Sequence, residues 1–163
     1  DQLADGDGRF DAVACTQVLL YVDDVRGAVA EMYRVLKSGG RIALVETDWR
    51  SCVMNSSDFD LTETMIRAWD GAVASPNLPV RLAPMLRSLG FSAVRVEAVP
   101  VVNTSLLPDG YSSDMVTVFT RKAIEQGRAS RVQAEAWLED LRHKSREGEY
   151  FFCVNRFLFS AVK

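Results

Sequence analysis

Apolar positions along this chain switch between the spacing of strands and the spacing of helices. Phe10 to Thr16 (FDAVACT) is a short apolar run behind the turn residues Asp5-Gly6-Asp7-Gly8, which predicts a buried strand. Val25, Ala28, Val29, Met32, Val35 and Leu36 then recur at helical spacing. Asp23 and Asp24 supply an N-cap and first-turn charge, Lys37 falls in the last turn, and Gly39-Gly40 is the expected stop. Arg41 to Glu46 (RIALVE) returns at once to an apolar run. Strand, helix, glycine turn and strand predict a βαβ unit in a parallel sheet covered on both faces.

After Thr47-Asp48-Trp49 the pattern loosens into an expected turn. A helix is predicted over Asp58 to Ala74, with Leu61, Met65, Ala68, Trp69 and Ala72 along one side, and Ser75-Pro76-Asn77 breaks it. A short helix over Leu82 to Leu89 ends at Gly90, and Val94 to Val102 alternates as a strand does. Pro100 cannot donate to a ladder, so that strand belongs at an edge or bulges there. Two more helices are predicted over Tyr111 to Gln126 and Ser130 to Lys144, the second capped by Ser130. Tyr150 to Val162 (YFFCVNRFLFSAV) closes the chain as an aromatic strand.

Composition narrows the class. The 163 residues are 48% hydrophobic and 25% charged, as expected of one α/β domain with a sizeable core. Within it, residues 1–50 form the βαβ core, 51–90 a helical region and 91–163 the last strands with a helical insertion. Nineteen Lys+Arg against 22 Asp+Glu gives a net charge of -3, which argues against a nucleic-acid partner. No apolar run suits a membrane span. Cys15, Cys52 and Cys153 lack the spacing of a zinc site or a disulfide framework, and imply small core residues in a reducing cytoplasm. Neither a metal cluster nor a Ser/His/Asp or Cys/His constellation is visible, and the single histidine, His143, falls in a polar helix end.

Phe10-Asp11-Ala12-Val13, Gln17-Val18-Leu19, Val22-Asp23-Asp24, the run Arg34-Val35-Leu36-Lys37-Ser38-Gly39-Gly40-Arg41 and Glu46-Thr47-Asp48-Trp49 together resemble a known pattern. They are similar to the middle of class I S-adenosylmethionine-dependent methyltransferases of the ubiquinone/menaquinone type, with Ser38 where that family usually has proline. The resemblance implies that this stretch is the fourth strand, the following helix and the fifth strand of a Rossmann-like sheet. Trp137 and the Phe-rich final strand resemble the family's C-termini. It implies an antiparallel last strand and a cytoplasmic enzyme using S-adenosylmethionine to methylate a small molecule.

The family's glycine-rich loop after its first strand and the acidic residue ending its second are absent from the sequence. Leu3 and Asp7-Gly8 align with the end of the adenine-side motif. The chain therefore reads as the C-terminal part of a methyltransferase fold, lacking three strands, inactive alone, with Asp1 a break point. Phe10–Thr16 would then be an open hydrophobic edge able to pair in a homodimer or a strand-swapped assembly. The alternative is a non-catalytic half-domain that pairs with a partner chain through that edge; a repurposed, non-methylating protein is a third possibility.

Thr16, Gln17 and Tyr21 follow the carboxyl end of a strand, where open α/β sheets bind ligands. The resemblance implies that Thr16 and Gln17 line the methionine end of the cofactor and that Tyr21 faces the transferred methyl group. Glu46, Asp48 and Trp49 end the next strand at the same rim. Asp48 is a candidate to orient or deprotonate an acceptor hydroxyl, or else only caps a turn. Trp49, Met54, Met65, Trp69, Trp137 and Phe157 could wall an acceptor pocket or simply fill the core. Arg131, Arg142, Lys144 and Arg146 are expected to be a solvated face.

Overall fold

The computed structural model describes residues 6–163, so Asp1, Leu3 and Asp5 lie outside the described residues. Four strands, β1 (Phe10–Thr16), β2 (Leu36–Met54), β3 (Ser92–Asn103) and β4 (Phe152–Val162), form one sheet in the order β1-β2-β4-β3. Five helices accompany them: α1 (Val25–Val35), α2 (Phe59–Arg67), α3 (Pro79–Ser88), α4 (Tyr111–Glu125) and α5 (Arg131–Arg146). β1 and β2 pair in parallel across α1, as a βαβ unit requires. β2 and β4 run antiparallel: Gly39 and Gly40 near the start of β2 bond Lys163, while Asn55 just past its end bonds Phe151. β3, the strand containing Pro100, is an edge strand among the described residues, and so is β1.

β1, expected as a buried strand, is exposed or half-buried along its whole length among the described residues, and two further local expectations are corrected. Helix α1 stops at Val35, four residues before Gly39, so Leu36 and Lys37 begin β2 rather than closing the helix. The carbonyls that a glycine cap would have served are taken by other parts of the chain. Arg34 O accepts from Gly8 N–H, Val35 O accepts from Arg9 N–H, and the Lys163 ammonium donates to Leu36 O at 2.6 Å. The two glycines instead form an irregularity inside β2. Phe10 pairs with Leu36 but Ala12 with Arg41, so five residues of β2 oppose two of β1. Gly39 sits there at φ +78, and a Cβ on Gly40 would come within 2.8 Å of Lys37 O.

The second correction concerns Thr47-Asp48-Trp49. β2 continues through it to Met54, so Asp48 is a strand residue and caps no turn. Turn propensity at that dipeptide is overridden by pairing and by burial of alternate side chains: Ile42, Leu44 and Glu46 are all buried on one side.

The chain divides into two compact units. In the first (residues 6–48, Ala74–Val99 and Arg156–Lys163), Val25 and Val29 of α1, Leu82 and Leu86 of α3, Ile42 and Leu44 of β2 and Phe159 of β4 share one core. Tyr33 and Phe91 meet edge to face at 4.8 Å. In the second (Trp49–Val73 and Pro100–Asn155), Trp49, Met65, Phe119, Trp137, Leu141 and Phe152 form a separate core. There Ser130 caps α5 with a reciprocal Gln133 bond, and the buried Trp137 indole donates to Thr62 Oγ1 at 2.9 Å. Among the described residues no helix is long and apolar enough to cross a membrane.

Candidate functional site

The loop after β1 is fixed by β2 through a set of hydrogen bonds to its backbone and to Gln17. Thr16, the last strand residue, is exposed. Gln17 follows at φ +56, a left-handed conformation that breaks the strand, and its N–H donates to Val45 O at 2.8 Å. Thr47 Oγ1 donates to Gln17 Oε1 at 2.7 Å, while the Gln17 amide nitrogen reaches Val45 O only at 3.4 Å. That long contact leaves the carboxamide able to serve a ligand at the rim.

Beneath the loop lies Glu46, fully buried. Its Oε1 accepts from Val18 N–H at 3.1 Å and Leu19 N–H at 2.8 Å, at the start of a single 3-10 turn over Leu19–Tyr21. Its Oε2 has no hydrogen-bond partner among the described residues. Burial pushes the carboxyl above its ordinary range, and the N–H groups of Leu19, Val18 and Leu20 pull the other way. The 3-10 turn is secured from its far side as Leu20 O accepts from Ser75 N–H, and it presents Tyr21 with 57% of its surface exposed. Glu46 was legible only as one of several acidic residues at the strand end; its function as the loop's anchor emerges from the fold.

Asp48, two residues along the same side of β2, is half-buried at a cavity of about 230 Å³. Pro79, Val80 and Ala83 of α3, Val96 of β3, and Phe157 and Phe159 of β4 complete the wall. One carboxylate among apolar groups gives this cavity a single polar specificity element. Phe157 thus lines a pocket, whereas Met65 and Trp137 are buried in the core of the second unit. Trp49 is buried in that core as well, in edge-to-face contact with Trp69 at 5.6 Å and Phe119 at 5.7 Å. Trp69 and Met54 pack half-buried against the same cluster. Both indole N–H groups, of Trp49 and Trp69, are buried with no acceptor among the described residues. The structure therefore brings Thr16, Gln17, Tyr21 and Asp48 into the first unit and Trp49, Met54 and Trp69 into the second.

The three cysteines are free thiols, and burial pushes Cys52 up to about 12. Among the described residues no group of side chains could hold a metal ion. His143 is exposed.

Comparison with known proteins places this geometry. A family model described as a methyltransferase domain matches residues 2–44, the stretch from the chain's start through β1, α1 and the first part of β2. An uncharacterized 37.1 kDa protein of transposon TN4556 from Streptomyces fradiae is 29% identical over 159 residues. That similarity covers 95% of this chain and 44% of the relative, so the chain spans less than half its length. Among solved structures, a Bacillus halodurans protein provisionally described as a methyltransferase superposes with a TM-score of 0.60 at 18% identity, covering 99% of this chain and 73% of that one. The [4+2]-cyclase SpnF superposes with a TM-score of 0.52 at 21% identity, over 99% of this chain and 53% of the other. The fold is that of the Rossmann-like methyltransferases.

Proposed function

We propose that the chain is the C-terminal, acceptor-side portion of an S-adenosylmethionine-dependent methyltransferase of the ubiquinone/menaquinone type, acting on a small molecule. The observation that carries this reading is the loop after β1, held by Glu46 and Thr47 against β2 at the carboxyl end of a parallel pair. The residues present fit the methionine end of the cofactor: Gln17 offers its amide, Thr16 an exposed hydroxyl and Tyr21 an exposed ring on a loop whose backbone is already ordered. Bound there, S-adenosylmethionine supplies a methyl group on a sulfonium, activated without further help from the protein. This chain's residues then have to place the acceptor rather than to activate it.

Asp48 takes that part for a compact, partly aromatic acceptor. Its carboxylate accepts a hydrogen bond from the acceptor's hydroxyl or amine and takes the proton as the methyl group is added, while Phe157, Phe159 and Pro79 enclose the apolar body. The outer edge of β1 is where the rest of a parallel sheet pairs.

SpnF shows that the fold also serves a cyclase, so the reaction has to be tested at the site. Amide hydrogen exchange on the longest form of the protein its gene encodes is the direct experiment. Saturating S-adenosylhomocysteine is expected to slow exchange at Val18, Leu19 and Leu20 at least about tenfold, because a ligand on the loop suppresses its opening. Unchanged exchange there refutes the assignment.

A further inference from the structure

A second cavity, of about 460 Å³, lies in the other unit between α4 and α5, within the roughly 300–1,000 Å³ typical of small-molecule clefts. Ile124, Leu138 and the largely buried Thr120 are its less polar lining, and Arg121, Arg131 and Arg142 line it too. Three arginines lining one largely apolar groove stand out in a chain whose net charge is -3.

The nearby carboxylates pair with two of them only at long distance. Glu125, which also lines the groove, makes its short bond to Lys122 at 2.8 Å and reaches Arg121 only at 3.9 Å. Glu139 makes its short bond to Arg146 at 2.8 Å and reaches Arg142 only at 3.7 Å. Those short bonds hold both carboxyls below their usual range. Arg131 has no ion pair among the described residues. Each carboxylate thus bonds most closely to a cation outside the groove and only loosely to the arginine that lines it, while Arg131 is left without an ion pair among the described residues. Contacts as long and as exposed as those at 3.7 and 3.9 Å hold a side chain weakly, so the guanidinium groups can turn inward at little cost.

Arginine donors that are unpaired, as in Arg131, or loosely paired, as in Arg142, beside an apolar floor suit a molecule with a planar anionic head and a hydrocarbon body. We infer that the α4–α5 groove is a binding site for a small amphiphilic carboxylate, its head on Arg131 and Arg142 and its chain along Ile124 and Leu138. The site belongs to the other unit from the loop after β1, and its test requires neither cofactor nor turnover.

Decanoate is the probe, titrated into the longest form of the protein its gene encodes by calorimetry, with decanol and inorganic phosphate as controls and nitrogen–proton correlation spectra to locate the response. Saturable decanoate binding is expected below about 1 mM, at least about tenfold tighter than decanol or phosphate, with shifts centred on Thr117, Thr120, Ile124 and Leu138. Doubling the salt should weaken it. Arg131→Gln with Arg142→Gln, two exposed positions whose exchange leaves the core intact, is expected to cost about tenfold or more. Leu138→Ser tests the floor separately and is expected to weaken decanoate while leaving phosphate unchanged. Equal affinity for decanol would overturn the anionic site in favour of a merely apolar surface. Equal affinity for phosphate would make it a plain charge patch. Shifts elsewhere, or no saturation by about 1 mM, would remove the proposal.

Discussion

The groups acting on Glu46 are its own burial and the backbone N–H groups above it, with no cation among them. Its carboxyl is therefore harder to ionise in the folded chain than in the unfolded one. The folded form binds the proton more tightly, so this contribution to stability is complete below the ordinary value near 4.5. It declines as the pH rises from there through the raised folded value. Glu46→Gln keeps an oxygen for Val18 and Leu19 but cannot ionise. The melting temperature of the variant relative to the native chain is expected to shift in the variant's favour as pH rises across that window. A pH-independent difference would show that Glu46 titrates normally. At this scale the sequence was informative about Gln17, whose position just after β1 follows from the apolar run, whereas Asp48, expected at a strand end, stands inside β2. It was silent on Glu46, because nothing in residue order tells which carboxylate will turn inward beneath a loop.

Among the elements, β1 and the start of α1 were readable because periodicity and the Asp24 cap agreed, whereas the start of β2, expected at Arg41 behind a glycine stop, lies at Leu36. What periodicity did not contain was the termination of α1, where Lys163, 128 positions after Val35 in the chain, supplies the cation that ends the helix. Long-range partners of this kind leave no local trace. The length of β2 was hidden likewise, since the turn chemistry of Thr47-Asp48-Trp49 yields to pairing. The relocated glycines give a sharp expectation. Gly39 has open space around its missing Cβ but a backbone at φ +78, so Gly39→Ala should cost about 1 kcal/mol through conformation alone. Gly39→Asn, which tolerates that region, should cost less. Denaturant midpoints distinguish the two, and an alanine variant as stable as the native chain would remove the strained irregularity from β2.

For the molecule as a whole, fold class was accessible because a βαβ unit constrains topology strongly, whereas the division of contacts into two units was not expected from a sequence without linkers. The same division places candidate residues adjacent in sequence in different units: Asp48 lines a cavity of the first and Trp49 is in the core of the second. The arginines of α5 show the converse: a charge run expected to be a solvated face contains two that line a groove. The central claim is that the loop after β1 is one wall of an S-adenosylmethionine site. Calorimetric titration of S-adenosylhomocysteine into the longest form of the protein its gene encodes tests it most directly, with Gln17→Ala in parallel. Saturable binding with a dissociation constant of about 1–100 μM is predicted, weakened about tenfold by the substitution. The absence of saturable heat up to about 1 mM, or binding indifferent to Gln17, would contradict it.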